Sequence, residues 1–221
     1  MQPAPVVGLA IHTTGPQLGL AARWPDGTTT DQVWDLGHQL STDFHDYLQG
    51  FMGDRPWTIL DYLAVATGPG GFTGTRIGVV AARTLAQQLR VPLFGVSSLA
   101  AAAWTYRDRA IDNGLALQMP ARRGEYHVAF YQVSATQTPL PILNDCVMAL
   151  EDWKLWLEAR DRPHGLVEVG DQLGKDARSV LELAEQVWGQ GDRRSWEATL
   201  PYYGQHPVDS PQSRPPAIEP P

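Results

Sequence analysis

The sequence predicts an α/β fold of two related lobes, and three features of the chain lead there. The apolar runs "YLAVAT" and "VPLFGV" bracket a long stretch of helical periodicity, and strand, helix, strand in that order implies parallel pairing in a sheet with both faces covered. The opening strand-turn-strand unit that begins at "VVGLAIHTT" returns about 110 residues later as "GLALQM" and "EYHVAFYQV". At 221 residues the chain also buries roughly 70% of its unfolded surface, enough for a real core.

Taken in order, "VVGLAIHTT" and "LGLAARW" flank a turn at Gly15-Pro16, and "TTTDQVWDL" follows a turn at Asp26-Gly27, so residues 5–36 read as three antiparallel strands. Ser41 is expected to cap a helix over "TDFHDYLQGFM", in which Phe44, Leu48, Phe51 and Met52 recur at helical spacing. "YLAVAT" reads as a buried strand, 72–90 as a helix, "VPLFGV" as a second buried strand, and "SSLAAAAWTY" as a helix starting from a serine cap. The second lobe then supplies its hairpin around Arg122 to Gly124, a strand near 141–148, a helix at 151–160, the short strand "GLVEV" and a helix at 173–188. The boundaries expected are residues 1–107 for an N-terminal lobe, 108–205 for a C-terminal lobe, and 206–221 for a proline-rich tail. The six prolines and scant apolar bulk of that tail cannot offset the entropy of ordering it.

Charge and cysteine content exclude several classes. The net charge is −7, and Lys and Arg occur in no run longer than a pair, so the basic footprint of a protein that grips nucleic acid alone is missing. Cys146 is the single cysteine, which rules out an intrachain disulfide and points to a reducing compartment. No signal peptide or membrane span is expected, and the location expected is the cytoplasm.

The stretch "ATGPGGFTGTRIG", residues 66–78, carries five glycines and invites comparison with phosphate loops. A P-loop needs two glycines five apart followed by Lys and Ser or Thr. Here Gly74 is followed by Thr75 and Arg76, and Pro69 stands where the first glycine belongs. A dinucleotide fingerprint fails at Thr73, and no Asp or Glu occurs between Asp61 and Asp108 to take a ribose. The competing reading is steric: glycine permits a tight strand-to-helix turn, and Gly74, Gly78 and Ala82, four apart, lay a smooth strip along one helical face. Arg76, Arg83 and Arg90, seven apart, make a second, basic stripe, either a solvated face or a destination for a partner's carboxylates.

These residues resemble a family. "AVATGPGGFTGTRIGVVAARTLAQQLRVPLFGVSSLAAAA" is similar to the signature of the TsaB (YeaZ) family, "ARRGEYHVAFY" to its A-R-R-G-E-V-Y segment, and "VVGLAIHTT" to its opening strand. The resemblance implies a two-lobed fold of the actin, sugar-kinase and Hsp70 type. It implies a non-catalytic, cytoplasmic subunit of the bacterial machinery that installs threonylcarbamoyl on the adenosine next to the anticodon of tRNAs reading codons that begin with A. The partners implied are the transferase TsaD, directly, and the ATPase TsaE through the TsaB–TsaD complex, with tRNA met only in the complex; a homodimer is the alternative pairing. No cofactor is expected in the isolated chain, while a nucleotide held at the interface with TsaD stays open. The family pairs through first-lobe helices, so the partner-binding residues expected are Phe44, Tyr47, Phe51, Gly70, Gly71, Phe72, Thr73, Gly74, Arg76, Gly78, Ala82 and Arg83. Two departures remove carboxylates: the family's I-D-T reads Ile11-His12-Thr13, and Met119-Pro120 precede the A-R-R-G segment in place of an acid.

Two enzymatic readings compete with this one. An autonomous ATPase of this fold needs a first-strand acid, and a neutral imidazole at His12 is no substitute for a hard oxygen ligand to Mg²⁺. A peptidase-like metallohydrolase needs clustered ligands, but the six histidines, at 12, 38, 45, 127, 164 and 206, form no metal-binding helix pair. Ser97 lacks the glycine of a nucleophile elbow and suits a helix cap, and Cys146 reads as an inert core thiol.

Overall fold

A computed structural model of the chain describes residues 6–204, and the proline-rich tail at 206–221 lies outside the described residues. The first sheet is built from β1 (Gly8–His12), β2 (Gln17–Arg23), β3 (Thr29–Asp35), β4 (Tyr62–Ala66) and β5 (Leu93–Val96), in the order β3-β2-β1-β4-β5. β1 pairs antiparallel with β2 and parallel with β4, and β5 extends the parallel half. The second sheet, from β6 (Gly114–Pro120), β7 (Glu125–Gln132), β8 (Leu140–Ala149) and β9 (Gly165–Glu168), has the order β8-β7-β6-β9, which repeats the first without its fifth strand.

Five helices cover these sheets: α1 (Leu40–Met52), α2 (Phe72–Leu89), α3 (Ser98–Thr105), α4 (Leu150–Glu158) and α5 (Ala177–Gly189). Because side chains alternate along a strand, each sheet buries two apolar faces. Leu9, Ile11, Leu63 and Val65 face α1 and α2, whereas Ala10, Ala21, Ala64 and Ala66 face α5. In the second sheet Leu115, Leu117, Ala129 and Val167 meet α3, while Ala116, Val128 and Phe130 meet Trp153 of α4. The layers are therefore α1/α2, first sheet, α5/α3, second sheet, α4.

Two expectations need correction. Ser41 does not cap α1: the helix begins at Leu40 behind a 3₁₀ turn at Gly37–Gln39, and the Ser41 hydroxyl donates to the His38 carbonyl at 3.3 Å. The boundary that assigned 108–205 to the second lobe also fails for its last part, because α5 and the residues after it pack on the first sheet. The reason is size. Alanines on that face leave room for a helix, and α5 fills it with Val180, Leu181, Leu183 and Ala184. Ion pairs from Glu185 to Arg23 of β2 (3.0 Å) and from Arg178 to Asp31 of β3 (3.2 Å) fix its direction.

Candidate functional site

Everything at the mouth of the first lobe is arranged around the end of β1. Thr13 donates its hydroxyl to the Gly74 carbonyl at 2.8 Å, and Gly71 N–H donates to the Thr14 carbonyl at 2.6 Å. The Thr14 and Ser98 hydroxyls share a hydrogen bond at 2.9 Å, and Ser98 N–H donates to the Gly68 carbonyl at 2.7 Å. Several of the loop's polar groups are thus engaged inside the chain. A Cβ added at Gly74 would sit 2.1 Å from the Thr13 carbonyl oxygen, and one at Gly78 would sit 2.2 Å from Thr13 Oγ1. These glycines exist so that α2 can lie directly on β1, the steric reading of the sequence.

That placement corrects part of the expected partner surface. Gly74, Gly78 and Ala82 are buried against the first sheet, and Phe44 and Phe51 are buried in the core between α1 and that sheet, so none of the five is offered to another molecule. Amphipathic spacing showed correctly that each set shares a face; it could not show that the face is satisfied within the chain. Tyr47 is half-buried against Trp34, with ring centroids 5.2 Å apart. Gly70 is half-buried, Gly71 and Thr73 are exposed, and Phe72 is half-buried against Tyr203 at 4.6 Å. Arg76 is exposed over the Phe72 ring, Arg83 lies over Trp196, and Arg90 falls just past the helix end in a left-handed conformation. Sequence reasoning missed Val80, a turn from both Arg76 and Arg83 and 59% exposed. With Thr73, Arg76 and Thr84 it forms the outward face of α2.

His12 is fully buried at the end of β1, with no hydrogen-bond partner for either ring nitrogen among the described residues, and burial pushes its pKa down to about 3. Above it, the segment joining β9 to α5 closes on the β1–β2 turn. A Cβ at Gly15 would meet the Asp171 carbonyl oxygen at 2.1 Å, and one at Gly19 would meet that of Gly174 at 1.9 Å. The segment that connects the two lobes is thus in backbone contact with the first lobe beside the end of β1. Among the described residues no group of three or more His, Cys, Asp or Glu side chains is placed to hold a metal ion, and no helix is long and apolar enough to cross a membrane.

Ser97 caps α3 as expected, accepting from the N–H groups of Leu99 and Ala100 at 3.0 and 3.1 Å. Its hydroxyl also donates to the carboxylate of Asp145 in β8, which accepts from Tyr131 at 2.9 Å as well. Burial raises the pKa of Asp145 above the usual carboxylate range. Nothing in "ILNDCVMAL" marks this aspartate, because its partners come from elements far away in sequence. Cys146 beside it is a free, half-buried thiol whose pKa burial pushes up to about 11, consistent with an unreactive role. Trp153 and Trp156 stack on each other at 5.3 Å, and the Trp153 indole donates to Gln118, so both serve packing.

Residues 55–160 match a family model described as "TsaD: tRNA N6-adenosine threonylcarbamoyltransferase". The chain is 32% identical over 183 residues to the tRNA threonylcarbamoyladenosine biosynthesis protein TsaB of Bacillus subtilis (strain 168), covering 82% of this chain and 76% of the relative. It is 29% identical over 219 residues to the protein of the same name from Escherichia coli (strain K12), covering 88% of this chain and 93% of the relative. The solved structure of YeaZ from Pseudomonas aeruginosa superposes with a TM-score of 0.71 at 21% identity, over 90% of this chain and 99% of that one. Together with the repeated sheets, this is the two-lobed α/β fold of the actin, sugar-kinase and Hsp70 type. The extent and level of identity to the Bacillus subtilis protein place the sequence, and the chain belongs to the TsaB (YeaZ) family.

Proposed function

We propose that this chain is a non-catalytic subunit in tRNA threonylcarbamoyladenosine biosynthesis, one that binds a TsaD-type transferase and enables it. The observation that carries the reading is the state of the chain at the end of β1: His12 stands buried and uncharged there, and the carbonyls of Asp171 and Gly174 press on Gly15 of the β1–β2 turn and Gly19 of β2 beside it. Phosphate chemistry in a fold of this kind needs space between the lobes and hard oxygen ligands for a metal. Support for the pathway comes from the names of the relatives, and support for the partner from the match of residues 55–160 to a transferase family model.

The partner surface in this reading is the outward face of α2, Thr73, Arg76, Val80 and Thr84, continued by Tyr47 on α1. The stretch from Asp61 to Asp108 contains no acid between its ends, so this face favours a partner that brings carboxylates around an apolar centre. tRNA, and TsaE with it, would be reached only through that complex, and a nucleotide would be held where both chains complete the site. The test is gel filtration of this chain with TsaD, alongside an ATPase assay of the chain alone. Val80→Asp should abolish the complex while leaving the circular dichroism unchanged, because Val80 is exposed and its loss costs the fold little. A Val80→Asp variant that still assembles with wild-type affinity, or turnover of ATP by the isolated chain, would remove the reading. Elution of the chain alone at twice its mass through the same face would favour the homodimer.

A further inference from the structure

Within the described residues the polypeptide crosses between the sheets twice by covalent connection, and both crossings lie at one end of α3. One leaves α3 at Tyr106; the other runs from Val169 at the end of β9 to Asp176 at the start of α5. Tyr106 and residues of that second crossing line the same cavity of about 200 Å³, so the two connections are neighbours and define one hinge line. Between hinge and mouth, α3 meets the second sheet through Leu99, Ala102 and Ala103, mostly small side chains across which packed elements shear easily.

A third crossing lies at the other end of α3, about 12 Å away for a helix of eight residues, and it is not covalent. After α5 the chain runs along the edge of the first sheet. Leu93 N–H donates to the Arg194 carbonyl at 3.2 Å, and the Thr199 hydroxyl donates to the Leu93 carbonyl at 3.4 Å. Tyr202 N–H then donates to the Thr67 carbonyl at 2.7 Å, while the Tyr202 hydroxyl reaches across to donate to the Asp145 carbonyl at 2.7 Å. Gly204 lies on His127 of β7, where an added Cβ would come within 2.8 Å of the ring. The Ser97 and Asp145 side chains close the same gap from the first lobe to the second.

We propose that residues 199–204 are a releasable clasp, anchored on the first lobe and latched to Asp145 and His127 of the second, that holds the lobes closed about the hinge at Tyr106 and Val169. A contact far from a hinge line resists rotation with the longest lever, so a few hydrogen bonds at the mouth keep the two lobes as one body. The latch is on the second-lobe side, because the first-lobe side has more attachments: Leu93, Thr67 and the Phe72 ring under Tyr203. Release would free the Asp145 carbonyl and the face of His127 now covered by Tyr202 and Gly204. This proposal is independent of the partner reading, since every contact in it is within the chain.

Spin labels at Gln49 on α1 and Leu155 on α4, both exposed, in a Cys146→Ala background report the lobe separation by pulsed electron resonance. The wild-type latch should give one narrow distance, and Tyr202→Ala a longer, broader distribution. Tyr202→Phe removes only the hydroxyl that reaches Asp145 and should broaden the same distribution in smaller measure. Wild-type distance distributions in both variants overturn the proposal. If Tyr202→Ala does not fold, Tyr202→Phe decides alone: an unchanged distribution overturns it.

Discussion

Gly78→Ala offers a quantitative test of the packing of α2 on β1. The new Cβ would lie 2.2 Å from Thr13 Oγ1, more than 1 Å inside the roughly 3.5 Å of an unstrained contact, while Thr13 Cβ and Cγ2 would be 3.4 and 3.6 Å away. Thr13 cannot turn aside freely. It is fully buried, stiff at χ1 as a β-branched residue, and its hydroxyl is committed to the Gly74 carbonyl at 2.8 Å. Overpacking or the orphaned hydroxyl costs about 1–3 kcal/mol, against about 1 kcal/mol gained by replacing glycine with alanine inside a helix. The expected net loss is up to about 2 kcal/mol, a fall in Tm of up to roughly 8 °C for a chain of this size. Thr13→Ala removes the obstructing oxygen and leaves only ordinary contacts, so in that background Gly78→Ala should become neutral or stabilising. The double-mutant cycle should then give a coupling of about 1–3 kcal/mol in urea titrations. Gly74→Ala is the control, because its obstruction is the Thr13 main-chain oxygen at 2.1 Å, which no side-chain deletion removes. Equal cost of Gly78→Ala in both backgrounds would refute the argument.

Gly50→Ala, on α1 where an added Cβ meets nothing within 4 Å, should raise stability by about 0.5–1 kcal/mol, and a lower Tm would mean that this face of α1 is covered. His12 makes the fold acid-sensitive: its folded pKa is lowered to about 3 from 6.5, so the unfolded chain takes up the proton first and stability present above pH 6.5 is lost as pH falls towards 3. The loss from this residue alone should reach about 2 kcal/mol at pH 5, and an unaltered slope between pH 7 and pH 5 in His12→Leu would contradict it. With a net charge of −7, the isolated chain should give no tRNA gel shift at physiological salt; a shift with a steep salt dependence would show a phosphate track on its surface. Calorimetry should find no micromolar binding of Mg²⁺-ATP by the chain alone, and His12→Asp should not create turnover.

The sequence reveals most about elements whose information is local. Alternation and apolar runs located the sheet strands, the serine at 97 located the start of α3, and the repeated hairpin revealed the second sheet, because each depends on neighbours within a few residues. What the sequence concealed depends on distant partners. α5 follows the second sheet in the chain yet packs on the first, since the space left by Ala10, Ala21, Ala64 and Ala66 exists only once that sheet has formed. Asp145 looks like any polar residue on a strand until Ser97, Tyr131 and Tyr202 surround it.

The glycine strip on α2 shows the same division within one motif. Four-residue spacing of Gly74, Gly78 and Ala82 specifies that something comes close to the helix, and that much is physical necessity. The identity of the neighbour depends on where β1 ends, and the strand delivers Thr13 to that strip. Once the strip is filled from within, an external partner can meet α2 only on the opposite side. There the residue types look ordinary in sequence: a valine between two arginines. An outward valine with 59% of its surface exposed carries no periodic signal of its own, because periodicity marks the face a helix buries first, against its own sheet. The interaction face we propose is therefore found by subtracting the internal contacts from the helix; for α2 the exposed remainder is Thr73, Arg76, Val80, Thr84, Gln87 and Gln88, and the proposed face is its N-terminal part.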